Sequence, residues 1–328
     1  MCLEALTIEI YPRLHLTLIG MNNDRYRING GVGFAVKNPS LRLRFSQSKE
    51  FILEDMRRFP FLEKEILRVK KIIGQIKRKN KARHNIRIEI KGEMPTHFGF
   101  GSSTAIRLAC LEALYLLNNC KPKRERLVFS SGRGGTSGIG INAYFEGGLI
   151  IDLGRRGKDF FSCPSQLSEN RKSMPLMIQR IEMPEWEVGI CIPNNIPHKS
   201  EKEEAEFFRK TCPISSSEVY KTIYHVIYGL YSAVRENDKK TFCLALKSIQ
   251  QCDWKHSERK LYGKELFRIE QRLYKCGAEA VGMSSLGPSL FFLAKDVKAV
   301  VKKMKTGMVD CELLVTKPSN GGRNIIYD

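Results

Sequence analysis

Residues 132–140 read Gly-Arg-Gly-Gly-Thr-Ser-Gly-Ile-Gly. Glycines let backbone N–H groups close on an anion, Thr136 and Ser137 add hydroxyls, and Arg133 adds a counter-charge. Such a loop suits phosphate. It holds no carboxylate, so it cannot take a proton from a substrate. Two other glycine turns accompany it. Residues 95–105 read PTHFGFGSSTA: Gly99 and Gly101 form a tight loop, and Ser102 or Ser103 is positioned to cap the helix that follows. A helix start adds partial positive charge for an anion. Residues 282–288 read GMSSLGP, a turn that runs into an apolar strand.

Other chemistries find no support in the spacing. No strand–loop–helix unit carries G-x-G-x-x-G with a distal acid, and no G-x-x-x-x-G-K-[ST] occurs. The ten cysteines include no C-x-x-C pair and the six histidines no H-x-x-x-H, which argues against zinc. The N-terminus lacks a signal-peptide pattern and no window reaches the ~18 apolar residues of a membrane span. The expectation is a cytoplasmic protein with reduced thiols.

The elements that must hold these turns follow from periodicity. Strands are expected at 5–11, 14–19, 30–36, 41–45 and 86–90. A helix over 61–78 follows from Leu62, Ile66, Val69, Ile73 and Ile76. The helix at 103–117 is apolar on nearly every side and should lie between layers. A helix near 123–130 leads into the 132–140 loop, residues 141–145 continue a short helix, and LIIDL ends a strand at Asp152. Residues 155–175 are polar and read as an ordered loop or lid. Beyond them come a strand at 186–192, helices at 201–210, 216–236, 238–251 and 261–276, an apolar strand after the 282–288 turn, a basic helix at 295–304 and a strand at 310–315. The order predicts an α+β fold rather than a doubly wound sheet.

Length and charge agree with this. A chain of 328 residues suits two lobes, here divided as 1–160 and 161–328. The formal net charge of +20 favours anionic partners. Residues 68–83 carry eight Lys/Arg and no acid, but no interleaved aromatics, so they read as a solvated helix face and not a nucleic-acid patch.

The pattern P-x-x-x-G-x-G-S-S-x-A resembles the phosphate loop of the GHMP kinase superfamily. Pro12-Arg13-Leu14-His15 with Leu18-Ile19 resembles its first motif, and GMSSLGP sits where its late glycine turn falls. GRGGTSGIG followed by GG-L-I-I-D is more specifically similar to the β-ribofuranosylaminobenzene 5′-phosphate synthase branch. The resemblance runs from Arg13 to Pro288. It implies a two-lobed GHMP-kinase-like fold, with a ribosomal-protein-S5-domain-2-like N-lobe and an α/β C-lobe, and a homodimer. That branch typically spells its first loop H-V-G-L-G-S-G-T-Q, whereas this chain has HFGFGSSTA, nearer the kinase form at Ser103 and Ala105.

Many of the kinases place an Asp after a Ser-Gly pair as base for a substrate hydroxyl. Here Ser137-Gly138-Ile139 leads to Gly140. A missing general base typically costs about 10²–10⁴-fold in rate. A transferase acting on phosphoribosyl pyrophosphate needs two phosphates held, the departing charge neutralised and a nucleophile positioned. The resemblance implies a 4-hydroxybenzoate or 4-aminobenzoate acceptor, loss of CO₂, and the opening of the arene branch of methanopterin biosynthesis. A small-molecule kinase is the alternative. On this reading Gly99, Gly101, Ser102, Ser103 and Thr104 cradle one phosphate. Gly134, Gly135, Thr136, Ser137 and Gly138, with Arg133, hold the other. Arg13 and His15 face the acceptor carboxylate, His97 donates to a phosphate, Asp152 binds Mg²⁺, and Ser284, Ser285 and Gly287 close the floor.

Overall fold

Alternation builds the first layer. Leu6, Ile8 and Ile10 are fully buried on one strand and Leu41, Leu43 and Phe45 on its neighbour, while the residues between them turn outward. The computed structural model describes residues 3–24, 26–80, 82–156, 174–306 and 310–328. The expected lid at 155–175 falls mostly outside these residues.

The first half runs β1 (Ala5–Ile10), β2 (Arg13–Gly20), β3 (Asn29–Ala35), β4 (Leu41–Ser48), β5 (Ile52–Asp55), α1 (Glu63–Asn80), β6 (Asn85–Gly92), α2 (Ser102–Leu117), α3 (Arg124–Ser131), α4 (Ile139–Glu146) and β7 (Leu149–Asp152). The second half runs β8 (Met177–Ile181), β9 (Val188–Pro193), α5 (Glu201–Thr211), α6 (Ser216–Tyr224), a π-helical stretch (His225–Tyr231), α7 (Ser232–Glu236), α8 (Lys239–Gln251), α9 (Asp253–Lys260) and α10 (Gly263–Cys276). It closes with β10 (Ala278–Met283), β11 (Leu290–Ala294), α11 (Val297–Lys305), β12 (Cys311–Thr316) and β13 (Asn324–Tyr327).

Among the described residues the strands form three sheets, in the orders β13-β1-β4-β6-β5, β2-β3-β7-β8 and β10-β11-β9-β12. The architecture is α+β, as expected. A division at residue 160 does not follow the strand pairing, because β8 adds to β7 and β13 adds to β1. The first lobe therefore draws on residues from both sides of that position.

Helix α2 sits between layers, against β1, β4 and β6 on one side and α1, α3 and α4 on others. Only Thr104 and Leu116 escape burial along it. Its N-cap is Gly101 in a left-handed conformation, not Ser102 or Ser103. The helix expected over 216–236 is interrupted by the π-helical stretch. There Gly229 lets α8 approach, since a Cβ at that position would lie 2.5 Å from Ala245 Cβ. Periodicity also left β5, β8, β10, α9 and β13 unassigned.

Candidate active site

The late glycine turn fastens the first loop to β2. Ser284 Oγ accepts the His15 backbone N–H at 3.0 Å and donates to the Gly99 carbonyl at 2.7 Å. The Ser285 N–H donates to the His15 carbonyl at 2.9 Å, and the Arg13 N–H to the Phe100 carbonyl at 3.0 Å. The Arg13 guanidinium also donates to the Gly99 carbonyl. Gly99 has φ +91°, and a Cβ there would stand 2.3 Å from the Ser284 carbonyl oxygen. Position 99 therefore requires glycine on both counts.

The second loop is held from two sides. Arg133 Nε donates to Thr104 Oγ1 at 2.9 Å, which ties it to the first loop. His15 Nε2 lies 3.2 Å from Ser137 Oγ. On the far side, Asp152 accepts the N–H groups of Gly138 at 2.9 Å and Gly154 at 2.8 Å. Asp152 is fully buried and does not line the cavity. This corrects its expected placement as a metal-binding, catalytic carboxylate: one oxygen braces the loop backbone at Gly138 from behind, and the other holds the turn after β7 at Gly154.

One cavity gathers most of the expected residues. Arg13, His15, His97, Gly99, Gly101, Ser102, Ser103, Thr104, Arg133, Thr136, Ser137, Ser285 and Gly287 line it. Gly134, Gly135, Gly138 and Ser284 stand behind that surface and shape its turns. His97 is committed elsewhere than expected. Its Nε2 lies 3.1 Å from Glu65 Oε2, and Ser103 Oγ donates to Glu65 Oε1 at 2.8 Å. Burial alone would raise the Glu65 carboxyl, but these hydrogen bonds and the proximity of His97 hold it at about 2.

The cavity also receives side chains to which the sequence reading gave no role in the site: Leu18, Glu204, Phe208, Glu258 and Leu286. Glu204 and Phe208 come from α5, which a capping box starts: the Ser200 N–H donates to Glu203 Oε2 at 2.8 Å and Ser200 Oγ accepts the Glu203 N–H at 3.3 Å. Glu258 comes from α9. It accepts Trp254 Nε1 at 2.9 Å and Lys255 Nζ at 2.6 Å, and Lys255 donates again to the Ser285 carbonyl at 2.9 Å. In sequence these acids look like ordinary charges on amphipathic helices. The available signal was spacing: Glu204 and Phe208 fall four apart, on one helix face.

Burial sets the electrostatics. It lowers the Arg13 pKa to about 10, against the attraction of Glu258. Burial, with Arg13 and Lys255 nearby, holds the His15 imidazole well below its ordinary range, which favours its neutral form. Burial raises Glu258 and lowers Lys255, and each partner opposes that in the other. Arg13 Nε is buried with no hydrogen-bond partner among the described residues, and Arg13 lines the cavity. No cluster of three or more potential metal-ligating side chains occurs among the described residues. No helix among them is long and apolar enough to cross a membrane.

Residues 68–146 match the GHMP kinases N-terminal domain. The chain is 31% identical over 331 residues to beta-ribofuranosylphenol 5′-phosphate synthase of Methanothermobacter thermautotrophicus, covering 97% of each protein. It belongs to that synthase family. A second member, from Archaeoglobus fulgidus, is 30% identical over 98% of this chain and 99% of its own length. Among solved structures, homoserine kinase from Cytophaga hutchinsonii superimposes with a TM-score of 0.67 at 16% identity, covering 98% of both chains. Mevalonate diphosphate decarboxylase from Staphylococcus aureus gives 0.67 at 13% identity, over 99% of this chain and 98% of the other. At such identities these two carry the fold alone. The fold is thus the GHMP-kinase fold, and the chain is a member of the synthase branch within it.

Proposed function

We propose that this chain joins phosphoribosyl pyrophosphate to 4-hydroxybenzoate, releasing CO₂ and pyrophosphate and forming a carbon-linked riboside 5′-phosphate. One observation carries the reading. Two glycine loops, Arg13 and Arg133 line a single cavity, while Gly140 and the inward-turned Asp152 leave the second loop without an accessible acid. Diphosphate departs as a stable anion and needs charge neutralisation more than a base at that loop. The relatives are named for a ribofuranosylphenol 5′-phosphate, which favours the hydroxy over the amino acceptor.

Each group then has a task. The α2 N-terminus and the first loop take one phosphate of the donor, and Arg133 with Thr136 and Ser137 takes the other. Arg13, with its unused Nε, faces the acceptor carboxylate, and neutral His15 orients the Ser137 hydroxyl. Mg²⁺ fits as a companion of the diphosphate: it keeps several waters and needs few protein oxygens. On this reading the Ser102 hydroxyl in the cavity wall would hold the ion, whose chemistry there would be to neutralise departing charge. A cytoplasmic homodimer opening the arene branch of methanopterin biosynthesis completes the proposal.

The test uses carboxyl-labelled 4-hydroxybenzoate with phosphoribosyl pyrophosphate and Mg²⁺. Labelled CO₂ released in step with pyrophosphate, without ATP, supports the transferase. ATP consumption on a small alcohol, with no gas released, overturns it in favour of a kinase.

A further inference from the structure

One corner of the cavity is not explained by the phosphate loops. Leu18 and Phe208 line it and belong to an apolar cluster with Trp254, and Leu286 packs against that cluster. This corner fits an aromatic ring better than an anion. Glu204 reaches the same cavity from one turn earlier on α5. The acids around it are occupied. Glu65 holds His97 and Ser103, Glu201 holds Arg68, and Glu258 holds Trp254 and Lys255. The Glu204 carboxylate accepts no hydrogen bond from a described residue.

We infer that Glu204 is the proton acceptor for the para hydroxyl of the aromatic substrate, whose ring lies against Leu18, Phe208 and Leu286. This rests on the transferase reading above. In 4-hydroxybenzoate, the ring carbon bearing the carboxylate is para to the hydroxyl. That carbon is a weak nucleophile while the hydroxyl keeps its proton. As the proton passes to Glu204, the oxygen lone pair is released into the ring. The ring carbon bonds to the anomeric carbon, and the bond from that carbon to diphosphate breaks with its electron pair leaving on diphosphate. The resulting dienone then loses CO₂: the carbon–carboxylate bonding pair restores the aromatic ring, and the oxygen recovers its proton from Glu204. Glu204 ends as it began, and no oxidant or reductant is required.

The setting agrees with this task. Burial lifts the Glu204 carboxyl to about 7. His97 from the first loop and Arg133 from the second act to lower it, while Glu201 on its own helix and Glu258 on α9 act to raise it. The Tyr262 hydroxyl, which also feels Glu204, donates to the Leu286 carbonyl. A carboxylate near neutrality is matched to a reversible proton transfer.

The experiment compares wild type with Glu204→Gln on three acceptors: 4-hydroxybenzoate, 4-aminobenzoate and 3,5-difluoro-4-hydroxybenzoate. The amine needs no deprotonation to donate its lone pair, and the fluorinated phenol is already ionised near neutral pH. The expected result is a kcat loss of about 10²–10⁴-fold with 4-hydroxybenzoate. With the other two acceptors the loss should stay under ~10-fold, and KM for phosphoribosyl pyrophosphate should hold. The wild-type rate with 4-hydroxybenzoate should rise through pH ~7, a limb absent from the variant. Equal losses on all acceptors, or no loss on any, overturn the inference while leaving the transferase reading intact. If wild type does not use 4-aminobenzoate, the fluorinated acceptor decides. If wild type forms no riboside at all, the reading of function falls and this inference with it.

Discussion

Replacing Asp152 with asparagine distinguishes a buried brace of the backbone from a metal ligand. Asp152 is fully buried, and burial raises its carboxyl from 3.8 to about 7, with the Gly154 and Gly138 N–H groups and Arg27 opposing. A rise of roughly 3 pH units corresponds to about 4 kcal/mol, at ~1.4 kcal/mol per unit. The folded protein holds this proton more tightly than the unfolded chain does. As pH rises from 3.8 the unfolded chain ionises first, so stability falls until the folded carboxyl also ionises near 7. Asparagine cannot ionise. The stability of Asp152→Asn relative to wild type should therefore climb by about 4 kcal/mol between about pH 4 and about pH 8. Asparagine offers one accepting oxygen, so Gly138 or Gly154 loses its partner, a pH-independent cost of about 1–3 kcal/mol. Urea unfolding of both proteins across that range gives the difference curve. A flat difference, with Mg²⁺ affinity lost at unchanged stability, would refute the reasoning and return Asp152 to the metal.

Two further perturbations test the loops. Arg133→Ala should weaken phosphoribosyl pyrophosphate binding by about 10–100-fold, the range of a charge-assisted hydrogen bond. Calorimetric titration measures it, and a thermal midpoint lowered in proportion to the affinity would assign Arg133 to folding instead. Gly99→Ala should lower stability by about 2 kcal/mol or more, because the left-handed backbone and the Ser284 carbonyl both oppose a Cβ. Denaturant melts check it, and a change below about 0.5 kcal/mol would mean the turn opens freely.

Much of the fold was legible where one period dominates. The alternation around Leu6, Ile8 and Ile10 gave β1, and the all-round apolar pattern of residues 103–117 gave a helix buried between layers. The three glycine turns were legible because glycine and hydroxyl composition is local. The cavity they share was only partly legible, since its remaining wall comes from elsewhere in the chain. Nothing local separates Glu204 or Glu258 from solvated helix charges; tertiary packing brings them inward. Asp152 misled for the same reason: a carboxylate ending a strand gives no sign of which side it faces, and here it faces backbone N–H groups. Helix α9 went unassigned because Asp253–Lys260 is almost entirely polar, although its Trp254, Lys255 and Glu258 are buried. Strands β8 and β13 are edge strands with incomplete burial, and their alternation is correspondingly weak.

The central claim is a bond between an aromatic carbon and the anomeric carbon of the ribose. Turnover of donor labelled with ¹³C at the anomeric carbon, with 4-hydroxybenzoate labelled at the ring carbon bearing the carboxylate, reads that bond directly by NMR. The account predicts a product with one-bond coupling between the two labels. An uncoupled product, with the ribose on oxygen or a phosphate moved from ATP, would contradict it.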